Sequence, residues 1–89
     1  MRPGSETSVL AKRLVRTRLA LGYRTQSAFA EQVGLHPHQI NVFERGKRRI
    51  SLGAALLMWE KFGISLDWIY CGDAAGLPAA LHKKLKRRK

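Results

Sequence analysis

The strongest constraint on this chain is its glycine punctuation. Gly22, Gly34, Gly46, Gly63 and Gly72 each close a segment whose apolar residues recur at three- or four-residue spacing. Glycine enters the left-handed conformation at a helix C-terminus without a Cβ penalty, so each is a natural stop. One long helix is therefore excluded. No alternating run of useful length suggests a strand, which leaves an all-α fold, a compact bundle of five short helices joined by brief links.

The first helix is expected from about Thr7 to Leu21, with Leu10, Leu14, Thr17 and Leu21 on its apolar side and Lys12, Arg13, Arg16 and Arg18 between them. Ser5 or Thr7 can cap it. Thr25 can cap a second helix, Gln26 to Val33, which buries Phe29, Ala30 and Val33. Pro37 suits the first turn of a third, where its missing N–H costs nothing, and Ile40 and Phe43 would hold that helix down to about Arg45. Ser51 can cap a fourth, with Leu52, Ala55, Leu56, Trp59 and Phe62 tracing one face. A short fifth helix runs from Ser65 or Leu66 to about Tyr70. The tail AALHKKLKRRK reads as a frayed helix without an apolar anchor. The organisation is then an arm (1–7), a helical domain (8–72) and a basic, flexible tail (73–89).

Charge narrows the function. Seventeen Lys and Arg against six Asp and Glu give +11. The last nine residues hold six of the cations; the rest of the chain keeps eleven against six, or +5, so the folded part itself favours a polyanionic partner. A single cysteine, Cys71, excludes an internal disulfide and a multi-cysteine zinc site. The start, MRPGSETS, carries no hydrophobic leader, and no apolar run approaches the ~18 residues of a membrane span, so a cytoplasmic setting is expected. Interior glycines argue against a long amphipathic helix lying on a membrane. No nucleophile–base pair, phosphate-cradling loop or ligand cluster supports catalysis, and no cofactor is expected.

The segment QSAFAEQVGLHPHQINVFER carries the function. Ala30 sits where two helices cross, Gly34 makes the tight turn between them, and Phe29, Val33, Leu35, Ile40 and Phe43 face the core. His38, Gln39, Asn41, Val42 and Arg45 are left facing outward, on a helix that fits the major groove of B-DNA.

These residues resemble the Cro/repressor-type (Xre-like) helix-turn-helix family. The resemblance rests on Arg18 before Gly22, then Gln26, Ala30, Gly34, Ile40, the Glu44-Arg45-Gly46 triplet and the closing GISLDWIY, over roughly residues 8–72. It implies a lambda-repressor-like DNA-binding domain that regulates transcription, acting as a repressor, and binding double-stranded DNA as a homodimer in a bacterial or phage setting. Gln26 would meet a phosphate or a base edge. His36, Pro37, His38 and Gln39 would approach bases, with Asn41 and Val42 one turn further; Gln39 and Asn41 carry the donor–acceptor pair that can read adenine. Arg24, Arg45, Lys47, Arg48 and Arg49 would hold phosphates. The resemblance also implies a structural ion pair between Arg18 and Glu44. Two departures stand out: GYRTQ is one residue longer than the usual link, and His36 replaces the usual Ser or Thr cap of the third helix, where a neutral imidazole could accept from a backbone N–H.

Other readings stay open. His36 and His38 have no third ligand at metal spacing. Trp59 reads as core, and Trp68 as core or as the dimer surface through which the family often pairs. Arg13 and Arg16 read as solvated or as phosphate contacts. An antitoxin that binds a toxin protein and autoregulates its promoter is the alternative function.

Overall fold

The computed structural model describes the backbone of residues 3–87 and the side chains of residues 7–85. Four helices follow in order: α1 (Pro3–Ala20), α2 (Gln26–Val33), α3 (Pro37–Glu44) and α4 (Leu52–Phe62). A π-helical turn (Asp67–Cys71), a 3-10 turn (Ala74–Gly76) and a last helix, α5 (Ala79–Arg87), complete the chain. Among the described residues, no helix is long and apolar enough to cross a membrane.

The glycine stops behave as their chemistry requires. At Gly34, φ is 95°, and the N–H groups of Gly34 and Leu35 both donate to the Ala30 carbonyl, at 2.8 and 2.9 Å. That closes α2 and swings the chain into α3 within three residues. Thr25 Oγ1 accepts from Ala28 N (3.1 Å) and Ser51 Oγ from Ala54 N (3.2 Å), so the expected caps of α2 and α4 are in place.

The core lies where α1, α2, α3 and α4 meet. Leu14 of α1 packs in one cluster with Phe29, Ala30, Val33, Ile40 and Phe43, while Leu10 and Thr17 lie beside Ile64 and Trp68, all buried. Tyr23, Phe29 and Phe62 form an aromatic trio with ring centroids 5.8 Å apart, which ties the α1–α2 link to the end of α4.

Three expectations are corrected. First, α1 starts at Pro3, so most of the supposed arm is helix; a proline at the first helical position is pre-set for that geometry. Second, the expected face of α4 is buried only in part: Ala55 and Phe62 pack inward as expected, the other three do not. Ala54, Ala55 and Met58 face inward, while Leu52, Leu56 and Trp59 are 59%, 43% and 54% exposed. LGAALLMWEKF is apolar on nearly every side, so periodicity alone offers two stripes. The one with two alanines wins because small side chains let α4 approach the core closely.

Third, the tail does have an apolar anchor. Leu77, Leu81 and Leu85, spaced four apart, are all buried, and α5 packs against α1. Burial of each leucine is worth about 1.5–3 kcal/mol, enough to hold a nine-residue helix that would not persist alone.

The π-helical turn stands where the short fifth helix was expected. Just before it, Ser65 Oγ accepts from Trp68 N (3.0 Å). Trp68 is core: its Nε1–H donates to Thr17 Oγ1 at 2.9 Å. Arg13 and Arg16 lie over its ring at 5.6 and 5.9 Å, and they donate to the carbonyls of Ile69 (3.0 Å) and Leu85 (3.4 Å). These two cations serve the fold on the face that joins α1, α5 and the π turn. Burial, and then the neighbouring Arg16 charge, pull the Arg13 pKa below its ordinary value.

Candidate nucleic-acid interface

The recognition unit is built from its caps upward. α3 opens at His36, whose Nδ1 accepts from His38 N at 3.0 Å, while Gln39 Oε1 reaches back to accept from His36 N at 3.0 Å. This is a capping box with imidazole in place of the usual hydroxyl, and it fixes His36 as the cap. The acceptor must be an unprotonated Nδ1, so the neutral ring carries its proton on Nε2. His36→Ala should destabilise the chain by about 1 kcal/mol in thermal or urea unfolding, and His36→Ser should restore most of that loss. Equal stability of His36→Ala and wild type would show the imidazole cap to be inert.

Beneath α3 a polar network orients the outward side chains. Arg18 Nε donates to Glu44 Oε2 at 2.7 Å and Nη2 to Oε1 at 3.2 Å, a two-point pair whose side chains are only 9% and 3% exposed. Arg18 Nη1 donates to the Tyr23 carbonyl at 2.9 Å, which joins the pair to the α1–α2 link. Gln26 Nε2 donates to Glu44 Oε1 (2.8 Å), and Gln26 Oε1 accepts from Asn41 Nδ2 (3.1 Å). The chain of contacts runs from α1 through the foot of α3 and the first residue of α2 to the middle of α3. Among the described residues, no buried side-chain nitrogen or oxygen lacks a partner.

The expected site residues thus separate into groups. Gln26, expected at a phosphate or base edge, is half-buried with both ends of its amide engaged inside the protein. Asn41 is half-buried and aimed by Gln26, with its second amide hydrogen and Oδ1 not used by that bond. Gln39 is exposed and spends its carbonyl on the cap. Arg24 is exposed at the α2 side, and Pro37 occupies the first position of α3.

After α3 the backbone turns sharply. Gly46 N donates to the Phe43 carbonyl and Lys47 N to the Val42 carbonyl, both at 3.1 Å, with Gly46 at φ 74°. The turn projects Arg45, Lys47, Arg48 and Arg49, all exposed, beside α3. Its far end is pinned where Tyr70 Oη donates to the Ile50 carbonyl at 2.7 Å. Burial pushes the Tyr70 phenol above its usual pKa, and the Arg49 charge pulls the other way.

Together these elements wall an open groove. His38, Gln39, Val42 and Phe43 line one side, and Arg48, Arg49 and Ser51 the other. Val42 and Phe43 are its apolar lining, and Arg48 and Arg49 its cations. Among the described residues, no group of three His, Cys, Asp or Glu converges on a metal site.

Sequence reasoning missed two features here. Gln26 as the link between Glu44 and Asn41 carries no local signal, because its partners lie 18 and 15 residues away. The Gln39 cap was visible in the His-x-x-Gln spacing, which parallels the Ser-x-x-Glu capping signature.

A family model for the helix-turn-helix matches residues 15–69, from the second half of α1 to the π turn. No curated protein and no solved structure gives a match. The matched span contains the Arg18–Glu44–Gln26–Asn41 network, both caps of the recognition unit and the basic turn. The chain belongs to the Cro/C1-type helix-turn-helix family of DNA-binding regulators.

Proposed function

We propose that this protein is a sequence-specific transcriptional repressor that binds a two-fold-related site in duplex DNA as a homodimer. The observation that carries the reading is the groove between α3 and the turn after it, where His38 and the Gln39 amide lie across from Arg48 and Arg49. In this reading Arg45, Lys47, Arg48 and Arg49 hold phosphates and fix the register of α3 in the major groove. Asn41 reads a base edge with an amide already oriented by Gln26, and Gln39 and His38 contact bases nearer the start of the helix. Repression follows from occupancy of the site.

Selection from random duplex DNA tests the proposal. A recovered palindrome with half-sites one helical turn apart is the expected result; recovery of no preferred sequence would count against it. Asn41→Ala should lower the preference at one base position by roughly 1–3 kcal/mol and leave affinity for random duplex nearly unchanged.

A further inference from the structure

We propose that the flank formed by α1, the π turn and α5 is a second phosphate-binding surface, which grips the same duplex outside the base pairs that α3 reads. The proposal rests on the DNA-binding reading above and adds a contact beyond the recognition unit. It starts from α5. Leu81 and Leu85 of that helix, and Leu77 just before it, are buried, which leaves Lys83 and Lys84 exposed on a fastened helix. The last nine residues of the chain carry six Lys and Arg and no acid. Among the described residues, neither Lys83 nor Lys84 pairs with a carboxylate.

A run of short contacts joins these lysines to the turn after α3. The Arg49 charge reaches the Tyr70 phenol, whose Oη donates to the Ile50 carbonyl at 2.7 Å. Beside Tyr70, the Ile69 carbonyl accepts from Arg13 Nη1 at 3.0 Å. Arg13 and Arg16 share the Trp68 ring, and Arg16 Nη2 donates to the Leu85 carbonyl at 3.4 Å, one residue past Lys84. Positive charge therefore runs from the basic turn, across the π turn, to the end of α5. The acids of this region are Asp67, on the π turn, and Asp73, which spends one carboxylate oxygen on Ala75 N at 3.0 Å.

Stability of the fold does not account for this array. A helix C-terminus favours cations. Yet Lys83 and Arg87 stand four apart on α5, as do Lys12 and Arg16 on α1, and like charges at that spacing oppose helix formation. A polyanion removes that repulsion, and the counterions it releases drive the contact. Duplex DNA fits better than an anionic lipid surface. A helix that lies on a membrane offers an apolar face beside its cations, whereas the leucines of α5 are spent inside. The molecule is 31 Å in its longest extent, so α5 lies within about nine base pairs of the bases under α3, at about 3.4 Å per pair. Once α3 is bound, the second contact is intramolecular and adds affinity without sequence preference.

The test titrates the full chain against the selected duplex trimmed to its recognised core, and against the same duplex extended by about ten random base pairs at each end. Wild type should bind the extended duplex roughly 10-fold more tightly. Lys83→Gln combined with Lys84→Gln should lose most of that gain, lower the salt slope on the extended duplex by about 2 and keep the base preference. Lys61→Gln, which removes an exposed charge from the end of α4, should match wild type. The double variant should melt no lower than wild type. In a Cys71→Ser background, Lys84→Cys carrying an iron–EDTA group should cut the extended duplex outside the core. A selected site bound by the double variant with an unchanged salt slope, or cleavage confined to the core, would overturn the proposal and leave the repressor reading intact. Lower melting with an unchanged slope would return the lysines to the helix dipole. Retention on anionic phospholipid vesicles, lost in the double variant while DNA binding is unchanged, would give the flank to lipid instead. Selection that recovers no sequence would defeat the repressor reading, whatever the lysines do.

Discussion

Arg18→Met is expected to unfold this protein or bring it to the edge of unfolding. The substitution leaves the Glu44 carboxylate, 3% exposed, with Gln26 as its remaining donor. Removing one partner of a buried pair costs about 3–5 kcal/mol, because the other charge stays desolvated and uncompensated. A domain of this size has little more than that in reserve. Replacing both partners, Arg18→Met with Glu44→Met, should recover most of the loss, since apolar side chains of similar volume leave no orphaned charge. The recovered double variant would still lack the anchor for Gln26, and through it for Asn41. It should therefore bind DNA with normal salt dependence and reduced base preference. Urea unfolding measures the first effect and titration of matched and mismatched duplexes the second. A loss under about 1 kcal/mol for Arg18→Met would place the pair among ordinary surface bridges.

The second large effect concerns affinity. Lys47→Ala combined with Arg48→Ala should weaken binding to every duplex by on the order of 100-fold at moderate salt, as two charge-assisted phosphate contacts are lost. Both side chains are exposed, so folding should be untouched. The slope of log affinity against log salt should fall by about 2, which anisotropy titrations between about 50 and 200 mM salt resolve. An unchanged slope would move the phosphate contacts elsewhere on the surface. A loss confined to one sequence would recast these residues as base readers.

The two variants act on different links of one chain of cause. The ion pair works through folding and orientation, and it reaches Asn41 through Gln26. The basic turn works through charge at the surface and needs no network behind it. That contrast explains why the two groups differ so much in how they could be recognised from the residues alone.

Much of this protein was legible without coordinates where the signal is local. Gly34, Thr25 and Ser51 act through their own backbone or the next three residues, so helix ends and the recognition turn could be read directly from residue chemistry. The outward placement of His38, Gln39 and Arg45 follows from Ile40 and Phe43 pointing inward on an eight-residue helix. What could not be read was any choice between equally apolar alternatives or any contact across the fold. α4 offers two stripes, and only packing against α2 and the aromatic trio shows that Met58 is inside and Trp59 outside. Leu81 and Leu85 become an anchor only because α1 presents a surface to receive them. Gln26 turns inward because Glu44 needs a further donor and Asn41 lies within reach. Hydrophobic periodicity and capping are short-range properties of a chain; which face is buried and which amide is spent depend on neighbours that only the folded structure brings together.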